Sequence, residues 1–209
     1  MSLVDPVEVH LRQLEYALRR LQRDAGELHD WGVHLALTLA RGGRLLTAGN
    51  GGSAAHAQHL VAELVGRFDG ERAPLPAVAL TADSVITSAL GNDYGYDEVF
   101  ARQVRAHGRP GDVVLLLSTS GTSPNVVAAA RAAREVGASA WSMTGPVPNP
   151  LAAECDRFFA VPAPSTQIVQ EVHQVAVHVL CGFIDEVVRS VLPAEAEWVE
   201  PAYAPGAAR

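Results

Sequence analysis

The chain reads as an α/β protein built on a doubly wound parallel sheet of about five strands, and three observations carry that reading. Short apolar runs alternate along the sequence with longer stretches of helical period. Asp112–Ser118 (DVVLLLS) is apolar almost throughout, as a strand is when helices cover both faces of its sheet. The apolar run ending at Ala48 passes through Gly49-Asn50-Gly51-Gly52-Ser53 straight into an amphipathic segment, which is strand, glycine turn and helix N-terminus in succession.

Taken in order, residues 7–40 form helix with a break near Gly26. Leu11, Leu14, Leu18 and Leu21 recur there at 3,4,3 spacing, a stripe that needs a partner, in this domain or in another subunit. Arg44–Ala48 is the first strand and Ser53–Phe68 the first crossover helix. The turn-rich Asp69–Pro76 leads into a second strand, Ala77–Leu80. Gly91–Tyr96 reads as a loop and Asp97–Ala106 as a helix. After the strand at Asp112–Ser118 come a helix at Ser123–Val136 and a strand at Ala140–Thr144. A Pro-rich loop, Gly145–Pro150, precedes a strand at Phe158–Val161, and a long helix runs from Ile168 to Leu192. The tail from Pro193, rich in Ala, Pro and Glu, is expected to be flexible.

A length of 209 residues allows one domain with a substantial core. The formal charge of −7 argues against a broad nucleic-acid surface, so any anion must be caught locally. Cys155 and Cys181 each stand alone among apolar residues, which gives neither a disulfide framework nor a zinc knuckle and fits a reducing compartment. The N-terminus is charged at once and lacks the apolar core of a signal peptide, and no apolar run approaches the ~20 residues that span a bilayer. A cytoplasmic location with no membrane partner is expected.

Two loops fall where ligands bind in such sheets, at the carboxyl ends of strands. Glycines in the first, 49–53, let a bound group approach the backbone, and the helix that follows offers free N–H groups to an anion. One turn into that helix His59 and Glu63 stand at i and i+4, on one face, as metal ligands or proton-transfer groups. By itself such a pair is more often structural. The same segment fits G-x-G-x-x-A with Asp69 about twenty residues on, but Asp69 falls in a turn and not at the end of the second strand, against a dinucleotide site. The second loop, Ser118-Thr119-Ser120-Gly121-Thr122-Ser123, could ring a phosphate with hydroxyls and N–H groups. Ser123 before Pro124 also reads as an ordinary N-cap and N1 pair, which leaves the residues before it unexplained. Neither loop is a Walker A motif, so a monophosphate suits the cradle better than a triphosphate. On the last helix Gln170, Gln174 and His178 fall near one stripe among Val and Leu, with Glu171 and His173 beside them. A histidine there could equally be a ligand or a core residue satisfied by a carbonyl.

These segments together resemble the sugar isomerase (SIS) domain family, most closely its bacterial phosphoheptose isomerases. The similar stretches are GNGGSAAHAQHLVAELVGRF (49–68), GNDYGY (91–96), GDVVLLLSTSGTSPNV (111–126) and QEVHQVAVH (170–178), in family order across roughly residues 40–190. Residues 41–192 are expected as the SIS domain, with 1–40 as helices of the same domain whose leucine stripe could serve in part to form the oligomer. The resemblance implies isomerisation of sedoheptulose 7-phosphate to D-glycero-D-manno-heptose 7-phosphate by a cytoplasmic homotetramer with one zinc per subunit. Its zinc ligands fall on His59, Glu63, Gln170 and His178. Its substrate-binding positions fall on Asn50, Gly51, Gly52, Ser53, Glu63, Asn92, Asp93, Ser118, Thr119, Ser120, Ser123 and Gln170. Glu63 and His178 match its acid–base residues. The chain departs from the pattern at His56 and Gln167, where those enzymes carry aspartates, which bears on sugar preference. Related SIS proteins that are tetrameric scaffolds for the replication initiator lack the glutamate and the second helix histidine, both present here as Glu63 and His178.

Overall fold

The computed structural model describes residues 5–191, so the expected flexible tail lies outside the described residues. Five strands, β1 (Leu45–Gly49), β2 (Ala77–Ala79), β3 (Val113–Ser118), β4 (Ser139–Thr144) and β5 (Arg157–Ala160), form one parallel sheet in the order β2-β1-β3-β4-β5. The helices are α1 (Pro6–Arg23), α2 (Ala25–Ala40), α3 (Gly52–Val65), α4 (Ser84–Tyr94), α5 (Ala101–His107), α6 (Pro124–Glu135), α7 (Pro150–Glu154) and α8 (Thr166–Val191). β1 and β3 are buried at every position, which is why their sequences run apolar without alternation.

Two cores sandwich the sheet. On one face Leu45, Val113, Leu115, Leu117 and Trp141 pack against α2, α3 and α8 through Trp31, Leu35, Leu60, Leu64, Val177 and Leu180. On the other Leu46, Val114 and Leu116 meet Val99, Val104, Val126 and the alanines of α6. A Cβ added at Gly32 would lie 2.5 Å from the Phe183 Cβ, so glycine lets α2 press closely on α8. On α1 the leucine stripe is used in part. Leu21 is buried, Leu14 and Leu18 pack on the core, and Leu11 stays 57% exposed.

The helical segment at 7–40 breaks at Asp24, beside the expected break near Gly26. Three expectations need correction. Gly91–Asp93 is not loop but the last turn of α4, which ends at Gly95 with φ +85°. The helix expected at Asp97–Ala106 is a short 3-10 turn, Tyr96–Glu98, and then α5. Pro150 belongs not to the preceding loop but to the first turn of α7, with Asn149 as its N-cap accepting the Ala152 N–H at 2.9 Å.

Candidate active site

The strand order makes β1 and β3 neighbours whose crossovers leave on opposite faces, so a crevice opens beyond their carboxyl ends. Both unusual loops lie there. A Cβ on Gly49 would stand 2.9 Å from the Leu117 carbonyl oxygen, so glycine permits the close approach of the two strand ends. Gly51 takes φ +53°, a conformation that side chains oppose, and turns the chain into α3. Asn50 and Asn125 bridge the two loops reciprocally, each Nδ2 donating to the other's Oδ1 at 2.9 Å. The Tyr96 hydroxyl donates to Asn50 Oδ1 at 3.3 Å, which ties the chain just beyond α4 to the same point.

In the second loop the Ser118 hydroxyl accepts the Gly121 N–H at 3.1 Å, and Ser120 Oγ accepts both the Thr122 N–H and its hydroxyl. Ser123 occupies the N-cap position of α6 ahead of Pro124, but its hydroxyl makes no capping bond. The N-cap position is therefore as expected and the side-chain cap is absent. The Gly145 Cα is so close that an added Cβ would reach 2.0 Å from the Thr119 carbonyl oxygen.

Further along α3, His59 links the two expected acid–base residues, Glu63 and His178. His59 Nε2 lies 2.8 Å from His178 Nε2 and 3.4 Å from Glu63 Oε1. α3 and α8 thus bring together groups 119 residues apart. Gln174 Nε2 is 3.0 Å from His178 Nε2, and the Phe68 ring stands 5.8 Å from the His178 ring, closing one side. Gln170 sits over the glycine turn, where a Cβ on Gly52 would come within 2.8 Å of its carboxamide. Asn92 and Asp93 are exposed at the end of α4, where Asn92 Nδ2 donates to Asp93 Oδ1 at 2.8 Å. That bond joins them to each other and not to the His59–His178 cluster. Gln167 is also exposed and its Oε1 accepts from the Ser165 hydroxyl at 2.8 Å.

His59, Glu63 and His178 are donors of the types zinc prefers, and Gln170 adds an amide oxygen. Their spacing is tighter than a metal shell. Two imidazole nitrogens on one tetrahedral zinc stand about 3.3 Å apart, so this pair must open by about half an ångström. The three touch in a chain through His59, and no group of three or more His, Cys, Asp or Glu among the described residues surrounds a common point at metal-binding spacing. The donor chemistry fits zinc, with that adjustment.

Two histidines behind the cluster behave differently. His173 is fully buried, with Nε2 3.2 Å from the Thr144 carbonyl oxygen and a buried, unpartnered Nδ1. Burial pushes its pKa down to about 4, against the raising effect of the carbonyl bond. His56 also buries an unpartnered Nδ1, and its pKa is lowered by burial and then by neighbouring His59. Sequence reasoning missed Asn125, Tyr96 and the contact made by Gln174. The polar side chain at Asn125, one residue into a helix after a hydroxyl-rich loop, is the signal that could have drawn attention to it.

The chain matches the SIS domain family over residues 10–145. It is 56% identical over 185 residues to a phosphoheptose isomerase of Streptomyces coelicolor, covering 88% of this chain and 80% of that protein. Among solved structures, a phosphoheptose isomerase from Neisseria gonorrhoeae superposes with TM-score 0.80 at 40% identity over 87% of this chain and 97% of that one. One from Francisella tularensis gives 0.84 at 32% identity over 89% and 100%. The chain belongs to the SIS domain family and, within it, to the phosphoheptose isomerases, which are isomerase enzymes.

Proposed function

We propose that the chain interconverts sedoheptulose 7-phosphate and D-glycero-D-manno-heptose 7-phosphate through an enediol. The observation that supports this reading is the meeting of Glu63, His59 and His178 between α3 and α8, the same two helices that meet at the glycine turn through Gly52 and Gln170. In this reading Ser118, Thr119, Ser120 and Ser123 hold the phosphate, and the Asn50–Ser53 turn takes the sugar backbone. Asn92 and Asp93 bind its far hydroxyls. Glu63, with a side chain 22% exposed, removes a proton from C1 of the ketose. The C1–H electron pair becomes the C1=C2 bond of the enediol while O2 gains a proton. Return of a proton to C2, with loss of the O1 proton, gives the aldose, and His178 manages the oxygen protons. No atom is gained or lost. Zinc held by His59, Glu63, Gln170 and His178 supplies Lewis acidity to the substrate oxygens when bound.

We read the working enzyme as a cytoplasmic homotetramer. α4 buries none of its residues and leaves Val85 75% exposed, while Leu11 and Tyr16 stand out on α1 at 57% and 62%. These faces suit contact with further copies of the chain. No helix among the described residues is long and apolar enough to cross a membrane. The test is turnover of sedoheptulose 7-phosphate by wild type and by Glu63→Gln. Loss of a general base costs about 10²–10⁴-fold, so the variant should fall by that factor with its fold and assembly intact. A variant that isomerises at near wild-type rate removes Glu63 as the base.

A further inference from the structure

We propose that Arg72 is a positioning residue for Glu63, acting on the backbone of the last turn of α3, and that Asp185 holds it in place. This deepens the reading of Glu63 as base and rests on it.

A helix ends with carbonyl oxygens that have no partner inside it. At the end of α3 the Gly66 N–H takes the Ala62 carbonyl at 2.9 Å. The next two are reached by one side chain, and the Leu64 carbonyl also accepts the Leu75 N–H at 3.0 Å. Arg72 NH2 donates to the carbonyl oxygen of Glu63 itself at 2.7 Å, and NH1 donates to that of Leu64 at 2.9 Å. NH1 also reaches the carbonyls of Ala73 at 3.1 Å and Gly66 at 3.4 Å, while Nε donates to Asp185 Oδ1 at 2.7 Å. The guanidinium and the carboxylate are each only 3% exposed. The remaining oxygen of Asp185 accepts the Asp69 N–H at 3.3 Å and Arg189 NH2 at 3.4 Å.

Asp185 lies seven residues beyond His178 on α8, two helical turns along the same face. One buried group therefore grips α3 at the peptide that carries Glu63 and grips α8 two turns from His178. The separation of the two acid–base residues is fixed by directional bonds as well as by apolar packing. Stability alone is a poor reason for the pair, since burying two charges costs about what their attraction returns, and a glycine already ends the helix. A planar fork of five donors fits the task where lysine does not.

The test compares wild type, the double variant Arg72→Met/Asp185→Leu, and Arg72→Lys. The double variant removes both charges together, so neither is left buried alone. Its melting temperature is expected to fall by several degrees, because backbone carbonyls at the end of α3 lose their donor, with KM unchanged and kcat lower by about 10–100-fold, because misplacing a reacting group by an ångström has that effect. Amide hydrogen exchange at residues 63–66 is expected to rise while that of β1 stays as in wild type. Arg72→Lys keeps a charge against Asp185 but cannot fork to both carbonyls, so it should show the same kcat loss. It decides the matter if the double variant does not fold. Unchanged kcat in a folded variant overturns the proposal, as does unchanged exchange at 63–66, or a loss that tracks melting temperature with KM and kcat moving together. If wild type itself shows no turnover, the reading of Glu63 fails, and the exchange measurement still decides whether Arg72 orders this turn.

Discussion

Acidification should destabilise this fold through His173, by an amount that can be worked out. The Thr144 carbonyl can only accept, so Nε2 carries the hydrogen and Nδ1 is a bare nitrogen in the core. A proton there would bury a charge with no partner, which is why the pKa falls to about 4. In the unfolded chain the same ring titrates near 6.5. Between these values the unfolded state binds a proton that the folded state refuses. The contribution is therefore fully present above about pH 6.5 and is lost as pH falls towards 4. At pH 5 the loss is about 2 kcal/mol, approaching about 3 kcal/mol below pH 4. That is a sizeable part of the roughly 5–15 kcal/mol by which domains are stable. The assay is urea unfolding at pH 7.5 and 5.0 for wild type and His173→Gln, at matched protein concentration because an oligomer's stability depends on it. The glutamine amide can donate to Thr144 without titrating. His34 and His56, whose pKa values burial also lowers, act in both proteins, so the difference isolates His173. Wild type should lose about 2 kcal/mol more than the variant on acidification. Equal losses in the two proteins would show that His173 does not carry the acid sensitivity.

Two further outcomes are expected. His178→Ala should lower bound zinc, measured by elemental analysis after dialysis, together with turnover; unchanged metal removes His178 from the ligand set. Gly52→Ala should fold normally, because the atoms its Cβ meets are the movable end of Gln170, yet kcat/KM should fall about tenfold as that amide is displaced. An unaltered kcat/KM would separate Gln170 from the reaction.

The parts of this fold that could be read from sequence are those whose signal is local. β1 and β3 are buried throughout and spell this out in apolar runs, and α3 announces itself by a glycine turn and helical period. α4 was not legible because it buries nothing, so no apolar stripe marks it. Its one sequence signal is Asp83, whose carboxylate caps the N–H groups of Val85 and Ile86 at 2.9 Å. α7 has five residues and lies behind a Pro-rich run. In the site, the pairing of His59 with Glu63 follows from helix geometry, whereas the meeting of His59 with His178 is a tertiary event that only the family resemblance anticipated. The pattern of α8 could not say which histidine was core and which was functional. The fold separates them, with His173 inside on a carbonyl and His178 exposed beside His59. Asn125, in the first turn of α6, escaped notice because its partner, Asn50, is 75 residues away in the glycine turn.

Proton transfer at carbon on a phosphorylated heptose is tested by NMR of sedoheptulose 7-phosphate with the purified protein in deuterated water, with and without added zinc. An aldoheptose phosphate carrying deuterium at C2 is expected, with exchange at C1 of the remaining ketose. Substrate that keeps both its structure and its C1 protons under stoichiometric protein, zinc included, would contradict proton transfer at carbon.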